Sequence, residues 1–237
     1  MKLKLVTLAM ASLVTFNTHA TAIDYQHEFK DSSGGEHNDS LRFSTLFDQG
    51  LNLSVEARWA QHPNDKSEKK PFNERVDSGT EVIAGYQYDL NKTFSVEPGF
   101  SLESTADYNS YRPYLRGKAN VTNDLSISLT YRPYYKRNSK NIGTPKKTSE
   151  KGYNLTSVIA YNFMNDYTLE YELDYQNSNE EKNDSSEKNR HMISHDFKLS
   201  HQWGKNWRPY MAIGNVPDSG NGNHRQTRYR IGIQYSF

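Results

Sequence analysis

From residue 22 onward, apolar and polar side chains alternate along most of the chain, and this period of two constrains the fold more than any other feature. In the segment from Leu125 to Tyr131 the odd-numbered residues are apolar or aromatic, whereas the even-numbered residues are serine or threonine. A strand places successive side chains on opposite faces, whereas an amphipathic helix needs apolar residues three and four positions apart. The alternation therefore predicts β-strands with one apolar and one polar face.

Twelve segments share this alternation and predict twelve strands. They cover residues 23–29, 41–47, 51–59, 76–90, 94–102, 111–121, 125–135, 153–163, 167–175, 193–203, 207–213 and 229–237. The short connections are 48–50, 91–93, 122–124, 164–166 and 204–206, and the long ones are 31–40, 61–74, 104–110, 138–151, 177–190 and 217–226. An even strand number, with tight turns alternating with long polar loops, predicts an all-β fold. We expect a transmembrane antiparallel β-barrel of 12 strands, with short periplasmic turns and longer extracellular loops.

The composition agrees with such a barrel and excludes a helical membrane protein. Mean hydropathy is −0.94, and 13% of residues are aromatic and 24% charged. Aromatic residues such as Trp59, Trp203 and Trp207 stand at strand ends, where an interfacial girdle is expected. In the alternative, a soluble β-domain, these rings would pack a core. The opposite strand face carries too much charge for a soluble barrel with a dry interior.

The N-terminus predicts a secretory signal peptide rather than a membrane anchor. Two lysines and an apolar run over 5–16 precede small-residue cleavage sites that end at Ala20 and Ala22. We expect a signal peptide of residues 1–20 and a single barrel domain of residues 21–237, with cleavage after Ala22 as the alternative. Loss of the two lysines changes the formal net charge from +1 to −1, so bulk charge predicts no partner.

If the apolar faces contact lipid, the alternate residues line the lumen, and many of them are basic. The predicted pore-lining basic residues are Arg112, Arg116, Lys118, Arg132, Lys136, Arg208, Arg228 and Arg230. They fall on two opposite walls, and wall charge of one sign is how pores select ions. Guanidinium groups stay charged and pair with carboxylates through a planar fork. The pattern predicts an anion-guiding channel. The alternative is that several of these residues neutralise luminal acids, among which we place Asp77, Glu97 and Glu172.

Three tyrosines, Tyr114, Tyr134 and Tyr210, are predicted on the same inner face. Their rings are candidates for stacking on sugar faces. The alternative is that the rings fill space beside the arginines.

Four stretches, taken together and in order, resemble the oligogalacturonate-specific porin family (KdgM-type). They are VEPGFSLES at 96–104, YRPYLRG at 111–117, YRPY at 131–134 and QTRYRIG at 226–232. The resemblance runs over nearly the whole mature chain. It implies a twelve-stranded monomeric channel, without a cofactor, for passive diffusion of acidic oligosaccharides such as the oligogalacturonates released from pectin.

The resemblance also implies where this chain works and which residues guide its cargo. The matching positions are Arg112, Arg116, Arg132, Arg228 and Arg230, followed by Lys118, Lys136 and Arg208. It implies a place in the bacterial outer membrane, among lipid and lipopolysaccharide, and a C-terminal Phe237 that is read by the barrel assembly machinery. Related sialic-acid porins share the general pattern, so another acidic sugar is the alternative cargo.

An outer-membrane enzyme of the phospholipase type is the alternative from another class. Ser157, His195 and His201 are predicted to face outward, but no base, orienting group and oxyanion hole come together in the sequence. A receptor or adhesin would instead work through the long loops, where lysines such as Lys66 and Lys140 form a basic rim. We predict no metal-ligand set, phosphate-binding loop or nucleic-acid module.

Overall fold

The computed structural model describes residues 18–31, 36–61, 75–138, 149–180, 188–217 and 224–237. Its strands are β1 (Thr18–Lys30), β2 (Glu36–Phe47), β3 (Leu51–Gln61), β4 (Arg75–Tyr86), β5 (Tyr88–Asp89), β6 (Phe94–Ser104), β7 (Tyr108–Asn120), β8 (Leu125–Asn138), β9 (Ser149–Phe163), β10 (Tyr167–Glu180), β11 (Lys188–His201), β12 (Trp207–Pro217) and β13 (Arg225–Ser236). Within these residues no helix is long and apolar enough to cross a membrane.

The strands close into one antiparallel sheet. Neighbours in the sheet follow chain order, and β1 pairs with β13 over a register that includes Ile23 opposite Tyr235. The short β5 continues the line of β4 beyond Gln87, and both strands pair with β6. β4 and β5 therefore share one position in the wall, and the predicted twelve-stranded barrel is confirmed. Closure matters in lipid, because no water is present there to satisfy a free strand edge.

Apolar side chains point away from the barrel and polar ones point into it. On β7 and β8, Leu115 is 55% and Leu129 51% exposed, whereas the neighbouring Tyr114 and Thr130 are buried. The arrangement is the reverse of a soluble protein, because the large apolar side chains form the outer surface. Such a surface is stable only against hydrocarbon, as in an outer-membrane barrel.

The five predicted short turns are confirmed at one end of the barrel. The Asn91 side chain accepts hydrogen bonds from the backbone of Thr93 and Phe94, both at 2.8 Å. Met164 and Asn165 take the left-handed conformation, with φ of 50° and 64°, which suits a two-residue hairpin turn. β1 begins and β13 ends at this same end, as an even strand number requires.

Strands on the long-loop side are longer than predicted. Residues 36–40 belong to β2, although they were predicted as loop, and the expected loop at 104–110 is a turn of residues 105–107. In that turn the Thr105 hydroxyl accepts hydrogen bonds from the backbone of Asp107 and Tyr108. Outside the lipid both strand faces are polar, so the alternation ends although the backbone pairing continues. Most of the other predicted long loops lie outside the described residues.

The prediction that Asp77 faces the lumen is wrong. The register of β3 and β4 shifts between Arg58 and Trp59, because the pairing skips Ser78 of β4, and the adjacent Gly79 has a φ of 124°. Beyond this irregularity Asp77 pairs with Trp59 and so shares its outward face. A bulge shifts the alternation by one residue, and the period of the sequence alone does not reveal it.

The signal peptide stays a prediction, because residues 1–17 lie outside the described residues. β1 begins at Thr18, and its pairing with β13 runs from Ala22 to Lys30.

A charged pathway through the lumen

The predicted basic residues lie on two pairs of neighbouring strands. Their inward positions are Arg112, Arg116 and Lys118 on β7, Arg132 and Lys136 on β8, Arg208 on β12, and Arg228 and Arg230 on β13. Three strands separate the two pairs on one side of the barrel and five wall positions separate them on the other. The two basic walls therefore face each other across the lumen, as the sequence predicts.

On the wall formed by β7, the arginines are bound by glutamates. Arg112 Nη2 lies 2.8 Å from Glu81 Oε1 and 3.2 Å from Glu103 Oε2. Arg116 Nη1 lies 3.3 Å from Glu97 Oε2. Each glutamate is buried, and a buried carboxylate needs such a partner to remain charged. These two arginines therefore compensate wall acids in addition to lining the pore.

On the opposite wall one aspartate binds two arginines. Asp196 of β11 forms ion pairs with Arg228 and with Arg230, and the Arg230 contact is 2.8 Å. Both arginines come from β13, so the contacts cross β12 above Gly214. A Cβ at Gly214 would overlap the Asp196 carboxylate, and the missing side chain leaves room for the ion pairs.

Three of the four remaining predicted residues have no such partner. Within the described part of the chain, no carboxylate oxygen lies within 4.0 Å of the side-chain nitrogens of Lys118, Arg132 or Arg208. Arg208 donates instead to Thr168 Oγ1 at 2.8 Å, whereas Lys136 lies 3.4 Å from Glu150. Five of the eight predicted cations thus neutralise acids, so the alternative interpretation holds for most of the set.

A larger ion-pair network connects β2, β3, β4 and β6, and the sequence does not predict it. Arg58 on β3 lies 2.6 Å from both Glu81 and Glu103, and it also contacts Glu56. Arg42 on β2 binds Glu56 at 2.9 Å. The inward position of each residue follows from alternation. The pairing between strands depends on register, for which the sequence carries no direct signal.

The three tyrosines lie on the inner face, as predicted, and each covers a glycine of a neighbouring strand. Tyr114 is 5% and Tyr134 8% exposed, so little of either ring is open to the lumen. Tyr210 is half-buried and donates a hydrogen bond to Asp24 at 2.9 Å. Burial favours the packing interpretation for Tyr114 and Tyr134. Sugar stacking stays a prediction, for which Tyr210 has the most accessible ring.

Open space remains in the lumen beside the wall formed by β12 and β13. One cavity of about 330 Å³ has Arg42, Glu172, Lys198, Tyr210 and Arg230 in its lining. A second, of about 400 Å³, lies beside it against β1 to β4. Both linings are mainly charged or polar, so the space suits hydrated, polar cargo.

The outward-facing serine and histidines do not form a catalytic arrangement in this structure. Strand register places Leu173 between Ser157 and His195. His195 Nδ1 lies 2.7 Å from the Tyr171 hydroxyl, and His201 stacks on Tyr167. Among the described residues, no group of three or more His, Cys, Asp or Glu side chains is arranged to hold a metal ion.

A closed barrel with an apolar exterior and a charged, open interior defines an outer-membrane porin. The model of one family, described as oligogalacturonate-specific porin protein (KdgM), matches residues 14–237. The chain belongs to this family.

Individual relatives agree with that membership. The oligogalacturonate-specific porin KdgM of Dickeya dadantii (strain 3937) is 54% identical over 237 residues, which cover 100% of both chains. A solved structure of the KdgM porin in complex with disordered oligogalacturonate aligns with a TM-score of 0.68 and 46% identity, covering 91% of this chain and 99% of that one. The NanC porin has a TM-score of 0.71 at 16% identity, covering 90% and 98%, and shows the fold alone.

Proposed function

We propose that this chain is an outer-membrane porin for the passive diffusion of acidic oligosaccharides, with oligogalacturonates as its cargo. The family that matches this chain and its 54% identical relative are named as oligogalacturonate-specific porins. A uronic-acid oligomer carries one carboxylate per sugar. It therefore needs cations at intervals along the path rather than one deep binding site.

The observation that carries the proposal is a set of three luminal cations, on both basic walls, that have no carboxylate partner among the described residues. Lys118 and Arg208 lie near the short-turn end of the barrel, and Arg132 lies near the middle of β8. None of the three has a carboxylate partner among the described residues. The low-dielectric wall around a narrow lumen strengthens the field of such charges. Exchange between several equivalent cations lets an anionic chain move without being trapped.

Planar-bilayer recording tests the proposal directly. We expect the purified protein to form channels whose reversal potential under a salt gradient shows a preference for anions. Added oligogalacturonate should reduce or interrupt the current, and a neutral oligosaccharide of the same length is the control. A cation preference, or equal effects of the two sugars, would contradict the proposal. Sialic acid in the same recording tests the alternative acidic cargo.

We also propose the remaining partners from the architecture. The exposed apolar band contacts membrane lipid and lipopolysaccharide, and the single closed barrel functions as a monomer. Strand β13 and the terminal Phe237 form the element that we expect the barrel assembly machinery to bind. We propose that the protein is a channel and does not hydrolyse phospholipid. Release of fatty acid from phospholipid in the presence of calcium, if it is lost in the Ser157→Ala variant, would contradict this.

A further inference from the structure

Tyr114 occupies a slot in the barrel wall that two glycines leave open. Strand register aligns Gly85 of β4, Gly99 of β6 and Tyr114 of β7 across three neighbouring positions. A Cβ added at either glycine would overlap the tyrosine ring or its hydroxyl. Glycine weakens a strand interior unless another group needs the space. The ring above the two glycines is that group.

Two guanidinium groups lie over this ring. The Cζ atoms of Arg132 and Arg116 are 5.4 Å and 5.7 Å from the ring centroid of Tyr114. Both distances lie within the roughly 6 Å over which an aromatic face attracts a cation. The register of β7 and β8 on either side also places Arg132 opposite Tyr114. The ring face therefore attracts both guanidinium groups.

Glu97 is engaged by the other members of this group and not by Arg132. The Tyr114 hydroxyl donates to Glu97 Oε1 at 2.5 Å, and Arg116 Nη1 lies 3.3 Å from Oε2. The Nε donor of Arg132 is buried and has no hydrogen-bond partner. Within the described residues this guanidinium has no carboxylate partner either. One positive charge is thus left uncompensated near the middle of the pore.

We propose that Tyr114 is a positioning residue for substrate selection. Its ring, seated in the slot formed by Gly85 and Gly99, holds the guanidinium of Arg132 towards the lumen. There Arg132 pairs with a carboxylate of the acidic oligosaccharide and is the specificity-determining cation. Tyr114 acts through Arg132 and does not contact the sugar. The inference rests on the proposed function, because it requires acidic oligosaccharides to pass through this lumen.

The test compares Tyr114→Leu with Tyr114→Phe in bilayer recordings titrated with oligogalacturonate. Leucine removes the ring, whereas phenylalanine keeps the ring and loses only the hydroxyl. We expect the leucine variant to raise the half-blocking concentration roughly three- to tenfold, as loss of a cation–π contact predicts. The phenylalanine variant should stay within about twofold of the unsubstituted protein, because the contact remains. Tyr111→Leu, on the outer face of the same strand, is the matched control.

Two outcomes would overturn the role of Tyr114. The first is that oligogalacturonate blocks a folded Tyr114→Leu channel as well as it blocks the unsubstituted protein, whereas the separate Arg132→Gln variant is blocked less well. The second is an equal loss in the leucine and phenylalanine variants, which would assign the effect to the hydroxyl bond with Glu97. If the leucine variant does not fold, Tyr114→Met fills the slot without a ring and carries the same expectation. A lack of block in the unsubstituted protein would contradict the proposed function instead, so the two failures are distinguishable.

Discussion

Arg230 Nη2 lies 2.8 Å from Asp196 Oδ1, although the two residues stand on strands separated by β12. Asp196 is 2% exposed and also binds Arg228. One buried carboxylate therefore compensates much of the positive charge that this wall carries. The strength of the wall field depends on the acid as much as on the arginines.

Substitution of Asp196 by Asn should make the channel more anion-selective. The amide keeps the shape of the side chain but removes the negative charge, so Arg230 loses its carboxylate partner and Arg228 keeps only the longer contact to Glu28, at 3.9 Å. We expect the reversal potential to shift towards that of the anion. Stability should fall by less than the about 3–5 kcal/mol of a fully buried broken pair, because both arginines keep access to luminal water. Asp124→Asn, the same charge change at a short turn, is the control, and an equal shift there would contradict the prediction.

Substitution of Arg132 by Gln should weaken block by oligogalacturonate roughly tenfold, the equivalent of one charge-assisted hydrogen bond. The variant removes the uncompensated guanidinium near the middle of β8. No luminal carboxylate of the described residues loses an ion-pair partner by this change. Arg137→Gln is a matched control, since Arg137 lies on the exposed outer face of the same strand. The half-blocking concentration in bilayer recordings measures the effect. Equal values for the two variants would show that Arg132 does not contact the cargo.

Substitution of Gly232 by Ala should destabilise the barrel at its seam. The Tyr210 ring lies on Gly232, and its hydroxyl bonds to Asp24 of β1, so the tyrosine spans the junction of the first and last strands. A Cβ at Gly232 would overlap this ring, and overpacking costs about 1–3 kcal/mol. Denaturant unfolding measures the loss. Gly117→Ala, where a Cβ has nothing within 4 Å, should leave the unfolding midpoint unchanged.

The mature protein should begin at Thr21. The Thr21 carbonyl accepts a hydrogen bond from the backbone of Phe237 at 2.9 Å, and its hydroxyl lies 3.0 Å from that of Thr45. Cleavage after Ala22 would remove both contacts and shorten the pairing that closes the barrel. The intact mass of protein purified from outer membranes decides between the two sites. A mass that corresponds to residues 23–237 would refute this prediction.

The barrel was predictable because its determinants are local. Alternation such as that from Leu125 to Tyr131 reports strand, face and environment at once, and turn residues such as Asn91 mark the reversals. The alternation fails where a local irregularity interrupts it, as at Gly79, and where lipid no longer distinguishes the two faces, as in residues 36–40.

The sequence predicts which residues line the candidate site. It does not predict which of their charges are compensated by acids. Alternation places Arg112 and Arg132 on the same inner face and treats them as equivalent. Their difference is set by neighbours far along the chain, because Glu81 reaches Arg112 only through the register of three strands. Charge compensation therefore depends on the tertiary structure, and the alternation of the sequence predicts only the positions of the charged residues.

The pairing of luminal arginines with acids has an evolutionary consequence. Codons for Asp and Glu become codons for Asn and Gln by a single base change, so one point mutation at Asp196, Glu81 or Glu97 releases a positive charge that is already in place. A lineage can thus move its pore towards more anionic nutrients by losing an acid, without building a new cation into the wall. Selection for a different cargo in such a barrel should therefore appear as substitutions at the luminal Asp and Glu positions.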